Sequence, residues 1–332
     1  MASLNYSAPS TSHAPRCRGE FAAVVIGNHR LCRDHYRLVL RLENFPPSHP
    51  GQFVEILAPL QAMDSDSHEI EWDFGRPRPP LRDQFLAADL PYLRRPFSIA
   101  GRRDGPGMAY TDIDIIHRVV GKATGILEHQ RPGDKLSILG PLGNGFRVSE
   151  RVKNALLVGG GVGIPPMIYL AEKLARRGMN VVAFAGAQSR DLVSLTLRPD
   201  FAVPADLLPV MAAAEFSAFG VPVVLATDDG TLGFHGYVTA ALDAYLRSHA
   251  ELRSEQTVVY CCGPTPMMRS TSVVAGKFDL SCQVSLEQPM ACGMGTCQSC
   301  VIKYRPADAA DWVYKLTCTD GPVFDSRDII WP

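Results

Sequence analysis

Four cysteines near the C-terminus constrain this chain more than any other feature. Cys292-Gly-Met-Gly-Thr-Cys297-Gln-Ser-Cys300 places three thiols on one tight loop, and Cys318 follows after seventeen intervening residues. Thiolates are strong metal ligands. Gly293 and Gly295 permit the backbone conformations that let amide N–H groups face sulfur. C-x4-C-x2-C with a remote fourth cysteine is the plant-type 2Fe-2S spacing, whereas structural zinc sites come as two C-x2-C pairs or with histidine ligands. A zinc knob and a disulfide knot are the alternatives. Visible absorbance that bleaches on dithionite separates the cluster from both.

The remaining cysteines argue about compartment. Nine in all, an odd number with Cys261 and Cys262 adjacent, do not form a secreted disulfide framework, so a reducing cytoplasm is expected. Met1 to Pro15 is rich in Ser, Ala and Pro without the apolar core of a signal peptide, and reads as a disordered lead. No stretch approaches the roughly 18 apolar residues of a membrane span. A net charge of −1 gives no electrostatic reason to expect nucleic acid. At 332 residues the chain is long enough for two or three domains.

From residue 16 to 150 the pattern is strand-like. Phe21 to Ile26, His35 to Leu42, Gln52 to Leu57, Thr111 to Ile116 and Lys135 to Leu139 alternate with period two between turn residues, which predicts a small antiparallel β-barrel. Two stretches within it carry chemistry. Arg94-Arg95-Pro-Phe-Ser98 sets a guanidinium and a hydroxyl three residues apart on a strand edge, and His117-Arg118-Val-Val-Gly121-Lys-Ala-Thr124-Gly125 runs from a strand into a helix with Thr124 as its N-cap. Each alone is equally a surface strand or an ordinary turn. Ahead of both in the chain, Ala58 to Leu90 is an acidic, proline-bearing excursion between two strands that reads as a surface insertion.

The period changes after residue 151. Ala155 to Val158 is a short buried strand, and Gly159-Gly-Gly-Val-Gly163-Ile-Pro165 gives a glycine loop leading into a helix through proline. Strands at Val181 to Ala185, Val221 to Thr227 and Val258 to Cys262 alternate with helices such as Tyr237 to Arg247, so an open parallel α/β sheet is expected over 151–277. Ligands in such sheets lie at the carboxyl ends of strands, where the glycine loop, Thr227-Asp-Asp-Gly230 and Cys262-Gly-Pro264 all fall. Residues 278–332 then form a small domain around the cysteines.

Arg95-Pro-Phe-Ser98, Gly140-Pro-Leu-Gly-Asn-Gly-Phe146, Gly159 to Gly163 and Cys262-Gly-Pro264, in that order, resemble the ferredoxin reductase superfamily, an FAD barrel followed by a pyridine-nucleotide domain. Ser285-Leu-Glu, Met290-Ala-Cys-Gly-Met-Gly-Thr-Cys297 and Cys318-Thr-Asp-Gly-Pro-Val-Phe324 narrow it, because they are similar to the electron-transfer subunits of two-subunit, NAD-dependent dihydroorotate dehydrogenases. The sequence departs from that pattern at the insertion after Ala58, at Ala123 where glycine is common, and at the long spacing before Cys318. The resemblance implies that Arg95, Pro96, Phe97 and Ser98 line FAD. It further implies that Ile116, His117, Arg118, Ala123 and Thr124 hold its ribityl and phosphate groups, with His117 acting through its backbone. Gly159, Gly160, Gly161 and Gly163 would take the pyrophosphate of NAD, and Gly263 and Pro264 would border the nicotinamide. Cys292, Cys297, Cys300 and Cys318 would hold the 2Fe-2S cluster.

The implied partner is an FMN-containing catalytic subunit, assembled with this chain as a heterotetramer. No acid, base or nucleophile is expected from the protein itself, since hydride transfer needs none. The alternatives are a free-standing NAD(P)H reductase feeding an oxygenase or ferredoxin, and a cluster-gated sensor without enzymatic activity. Nothing in the sequence separates NAD from NADP: Arg190 is placed to meet a 2'-phosphate or to be solvated.

Overall fold

The computed structural model describes residues 18–57, 93–306 and 309–332. The expected lead, the insertion and Cys17 lie outside these residues.

Six antiparallel strands close into a barrel: β1 (Gly19–Cys32), β2 (His35–Leu42), β3 (Phe53–Leu57), β4 (Arg95–Asp104), β5 (Thr111–Arg118) and β6 (Lys135–Leu142), in the order β1-β2-β5-β4-β3-β6. The period-two pattern explains the closure. Leu38, Leu40 and Leu42 of β2, Ile113 and Ile115 of β5, and Val54 and Ile56 of β3 all turn inward to one apolar core. A short helix, α1 (Lys122–Glu128), adds Leu127 to that core. Gly121 is its N-cap, and the expected cap Thr124 instead stands inside the first turn. There its hydroxyl accepts the N–H groups of Val120 and Gly121 at 3.0 and 3.1 Å, so it ties down the incoming loop rather than capping the helix.

The second layer is a seven-stranded sheet in the order β10-β9-β8-β7-β11-β12-β15. Its members are β7 (Asn154–Gly160), β8 (Asn180–Ala187), β9 (Val223–Thr227), β10 (Phe234–His235), β11 (Thr257–Cys262), β12 (Ser281–Ser285) and β15 (Val323–Asp325). All pairs are parallel except β12 with β15. Successive residues of β7 and β11 enter two different cores: Leu157 and Tyr260 join one with α2 (Ile164–Ala175), while Leu156 and Val259 join the other with α4 (Val238–Ser248) and α5 (Thr265–Lys277). Burial on both faces is why these strands read as unbroken apolar runs. A one-turn helix, α3 (Ala214–Ser217), packs Phe216 into the first core.

Residues 278–332 do more than carry cysteines. β12 and β15 extend the parallel sheet, and the cysteine loop with the hairpin β13 (Val301–Tyr304) and β14 (Val313–Leu316) projects from that edge. Among the described residues no helix is long and apolar enough to cross a membrane.

Candidate functional site

A cleft of about 780 Å³ opens where the barrel, the sheet and the cysteine segment meet. β4 forms one wall. Its first residues, Arg95 to Ser98, pair only with β3, and the ladder to β5 begins at Ile99 and carries a bulge between Ile99 and Gly101, so this stretch presents a free edge. Arg95, Pro96, Phe97 and Ser98 line the cleft together with Ile116, His117, Arg118, Ala123 and Thr124. All nine barrel residues named from sequence therefore share one concave surface.

The two arginines at the start of β4 divide their tasks. Arg94 donates to the Ser137 carbonyl and hydroxyl and to Glu20, which anchors it outside the cleft. Arg95 donates through one nitrogen to the carbonyls of Leu93 and Arg94, at 3.0 and 3.1 Å, which fixes its guanidinium at the cleft wall. His117 is 1% exposed, edge-on to Phe97 and stacked with Tyr36, and neither ring nitrogen has a hydrogen-bond partner among the described residues. Burial, with His35 adding, pushes its pKa down to about 4, so the ring is neutral. Arg118 Nε is likewise unpartnered. Buried polar atoms left without partners along a concave edge fit a bound polar ligand such as a flavin nucleotide.

The opposite wall comes from the sheet. Cys262 ends β11, lines the cleft, and has its thiol pushed up to about 12 by burial, so it is a neutral group there. Of the glycine loop only Val162 reaches the cleft. Gly159, Gly160 and Gly163 are closely packed, whereas Gly161, at φ +55°, has open space where a Cβ would be; a Cβ on Gly163 would stand 2.1 Å from the Cys262 carbonyl oxygen. That contact requires glycine. Gly263 lies against Gly160, Pro264 is the N-cap of α5, and neither is among the residues lining the cleft. Sequence reasoning did not single out Phe53, Glu287 or Met290 as cleft residues. Glu287, whose carboxyl pKa is raised by burial, had a signal in the Ser285-Leu-Glu run.

A second cavity of about 660 Å³ lies beyond the ends of β8 and β9, lined by Arg30, Cys32, Ser189, Arg190, Asp191 and Asp229 among others. Its carboxylates are already engaged, Asp191 by Ser189 and Arg33 and Asp229 by Thr231.

The four cysteines converge beside the first cleft. Cys292 Sγ accepts the N–H groups of Met294 and Cys297, and Cys300 Sγ accepts that of Cys318, each at 3.4 Å. The Ser299 hydroxyl lies 3.1 Å from Cys297 Sγ and, with backbone hydrogen bonding, holds that thiol down near 6. Cys318 is pushed up to about 12 by burial and by its neighbour Cys300. Among the described residues no three side chains close around a point as they would for a single ion. A two-iron cluster would share four thiolates between two metals and need not draw three side chains around one point, so the donor set of four thiols with amide N–H groups aimed at sulfur fits that larger group.

Cys300 and Cys318 are buried against Phe53 and Leu142, with Met290 at the margin. Phe53 and Met290 also line the cleft. One layer of side chains thus separates the cleft from the cysteine site. Glu55, on the same outward face of β3 as Phe53, is fully buried with both oxygens unpartnered, and burial raises its pKa while Arg94 and Arg95 oppose the rise.

Comparison with known proteins agrees with this geometry. Residues 287–330 match the iron-sulfur cluster binding domain of dihydroorotate dehydrogenase B, and residues 157–272 match the oxidoreductase NAD-binding domain. The electron transfer subunit of dihydroorotate dehydrogenase B (NAD(+)) from Bacillus caldolyticus is 38% identical over 244 residues, 72% of this chain and 81% of that protein. The corresponding subunit from Caldanaerobacter subterraneus is 34% identical over 265 residues, 79% and 91% of the two chains. Among solved structures, an NADH-dependent reduced ferredoxin-NADP oxidoreductase shares the fold with a TM-score of 0.66 at 24% identity, covering 93% of this chain and 90% of that one. A barrel of the flavin-binding type, an NAD-binding sheet and an iron-sulfur segment in one chain make it an oxidoreductase that transfers electrons among FAD, NAD and a 2Fe-2S cluster. The chain belongs to the family of electron transfer subunits of NAD-dependent dihydroorotate dehydrogenase B, within the ferredoxin reductase superfamily.

Proposed function

We propose that this chain takes electrons from the FMN of a separate catalytic subunit that oxidises dihydroorotate, and passes them through the cluster and FAD to NAD. The observation that carries the reading is the single layer, Phe53 and Met290, between the flavin cleft and Cys300 and Cys318. FAD, when bound, is the component able to exchange a hydride with NAD and single electrons with the cluster.

The protein's own residues bind, orient and exclude water. Arg95 meets the FAD pyrophosphate as a charge-assisted donor. Ser98 and Phe97 present a hydroxyl and a ring from the free edge of β4, while Ile116, His117 and Arg118 offer the β5 backbone to the ribityl chain. Ala123 and Thr124 leave amides of the α1 loop for phosphate, since the Thr124 hydroxyl is already committed to Val120 and Gly121. Gly159, Gly160, Gly161 and Gly163 set the uncapped N-terminus of α2 toward the pyrophosphate of NAD. Gly263 and Pro264 border the nicotinamide, and the second cavity takes the adenosine end. Cys292, Cys297, Cys300 and Cys318 hold the cluster.

Docking of the catalytic subunit falls beside the cysteine loop, where Met294, Trp312, Val313 and Tyr314 are exposed together. Exposed aromatics and methionine are enriched at protein interfaces. The test is reconstitution with an FMN-containing dihydroorotate dehydrogenase subunit, scored by complex size and dihydroorotate-dependent NAD reduction. A heterotetramer that turns over supports the reading. Transfer from NADH to an oxygenase or ferredoxin, with no complementation of any such subunit, supports the free-standing reductase instead.

A further inference from the structure

Glu55 has no part in the function described above, yet its surroundings are unlike those of a packing residue. Val54 and Ile56 of β3 enter the barrel core, so Phe53 and Glu55 face outward toward the cysteine segment. Phe53 suits that place, being apolar and packed with Cys300 and Cys318. Glu55 does not. It is 0% exposed, and neither carboxyl oxygen has a hydrogen-bond partner among the described residues. A buried polar group without a partner destabilises the fold, and an aliphatic side chain would fill the position without that cost.

The loop is shaped to this carboxyl. Gly293 has φ +63°, and a Cβ there would stand 2.6 Å from Glu55 Cδ and 2.7 Å from Oε1. On the other side the β3–β4 ladder sets Glu55 opposite Pro96, within the free edge that lines the flavin cleft. Arg94 and Arg95 are the nearby cations, but Arg94 is held by Glu20 and Ser137 and Arg95 by main-chain carbonyls. The carboxyl group therefore stands between flavin cleft and cysteine loop, and among the described residues no hydrogen-bonding group answers it.

We propose that Glu55 is a positioning residue for electron transfer, whose carboxyl group sets the reduction potential of the 2Fe-2S centre relative to the flavin. The proposal rests on the cluster assignment given above. In a buried seam the field of a polar group is screened far less than at the surface. Groups just outside the ligand shell, and polarity around the sulfurs, are the means by which a protein tunes such a centre. Because the carboxyl abuts the loop backbone itself, the cluster responds more than the flavin.

The experiment is an EPR-monitored reductive titration of the chain carrying both FAD and cluster, which reads the two potentials separately. Glu55→Gln keeps shape and removes the acid; Glu55→Leu removes the polar function. In both, the cluster's one-electron equilibrium is expected to shift at least tenfold, about 59 mV, and the flavin's by less. Iron, sulfide and FAD contents should match those of the unsubstituted chain. Should the leucine variant fail to fold or lose iron, the near-isosteric glutamine variant decides alone. An unchanged cluster potential in the glutamine variant, or a flavin shift larger than the cluster's, overturns the proposal. Iron analysis of the unsubstituted chain comes first: zinc in place of iron would sink the cluster assignment and this proposal with it, whereas a normal cluster with an unmoved potential sinks the proposal alone.

Discussion

Arg95 and His117 line the same cleft and support opposite kinds of prediction. Arg95 is held at the cleft wall by two main-chain carbonyls, so its proposed role as the pyrophosphate donor is testable by removal. Arg95→Ala should weaken FAD binding by about 2 kcal/mol, the scale of a charge-assisted hydrogen bond, and flavin should leach out on dilution. Flavin fluorescence checks this; unchanged affinity would make Arg95 an ordinary surface cation. His117 instead bears on acid stability, together with the buried His35, whose pKa burial also lowers. The folded pKa of His117, about 4, lies below the ordinary histidine value, so the unfolded chain binds a proton first as pH falls. The stabilisation is complete above about pH 6.5 and is lost progressively toward pH 4, on the order of 3 kcal/mol in all. Urea unfolding across that range should show the decline, and His117→Phe should flatten it. An equally steep decline in the variant would assign the pH dependence to other groups.

At the level of elements, the cysteine loop and its hairpin hang from the edge of the sheet, while the barrel closes without them. Cys297→Ser should accordingly abolish the visible iron signal yet leave FAD bound and NADH-to-dye activity largely intact. Loss of FAD as well would mean that the cysteine loop itself, and not only the preceding 285–290 stretch that lines the cleft, is needed to hold flavin. The elements differ in how far the sequence announced them. Strands with one face buried, such as His35 to Leu42, alternate cleanly and were legible from period alone, and the parallel strands showed as apolar runs because both faces are covered. β12 and β15 were not legible as members of the sheet, because they are short and lie on either side of the cysteine loop. Glu55 gave no signal for a similar reason. A charged residue in an alternating strand reads as the solvent face, and only the packing of a distant loop buries it. Thr124 was assigned the cap from residue type, whereas the loop before it supplied closer N–H partners.

On the scale of the whole molecule, barrel, sheet and cysteine segment meet at one cleft, and part of the cysteine loop reaches the surface beside it. Cys297 and Met294 are exposed there, and Trp312 and Tyr314 stand edge to face 4.9 Å apart on the neighbouring hairpin, with Lys303 over the Trp312 ring. Trp312→Asp should weaken assembly with the catalytic subunit at least tenfold by gel filtration or calorimetry without bleaching the cluster, because the ring is not packed on the cysteines. Bleaching, or unaltered assembly, would move the interface elsewhere. The proposed link from a partner's single electrons to NAD is tested most directly by dihydroorotate-dependent NAD reduction measured for the chain alone, the catalytic subunit alone and the two mixed. NAD reduction in the mixture only is the expected result, and dihydroorotate-dependent NAD reduction by the isolated chain would contradict it.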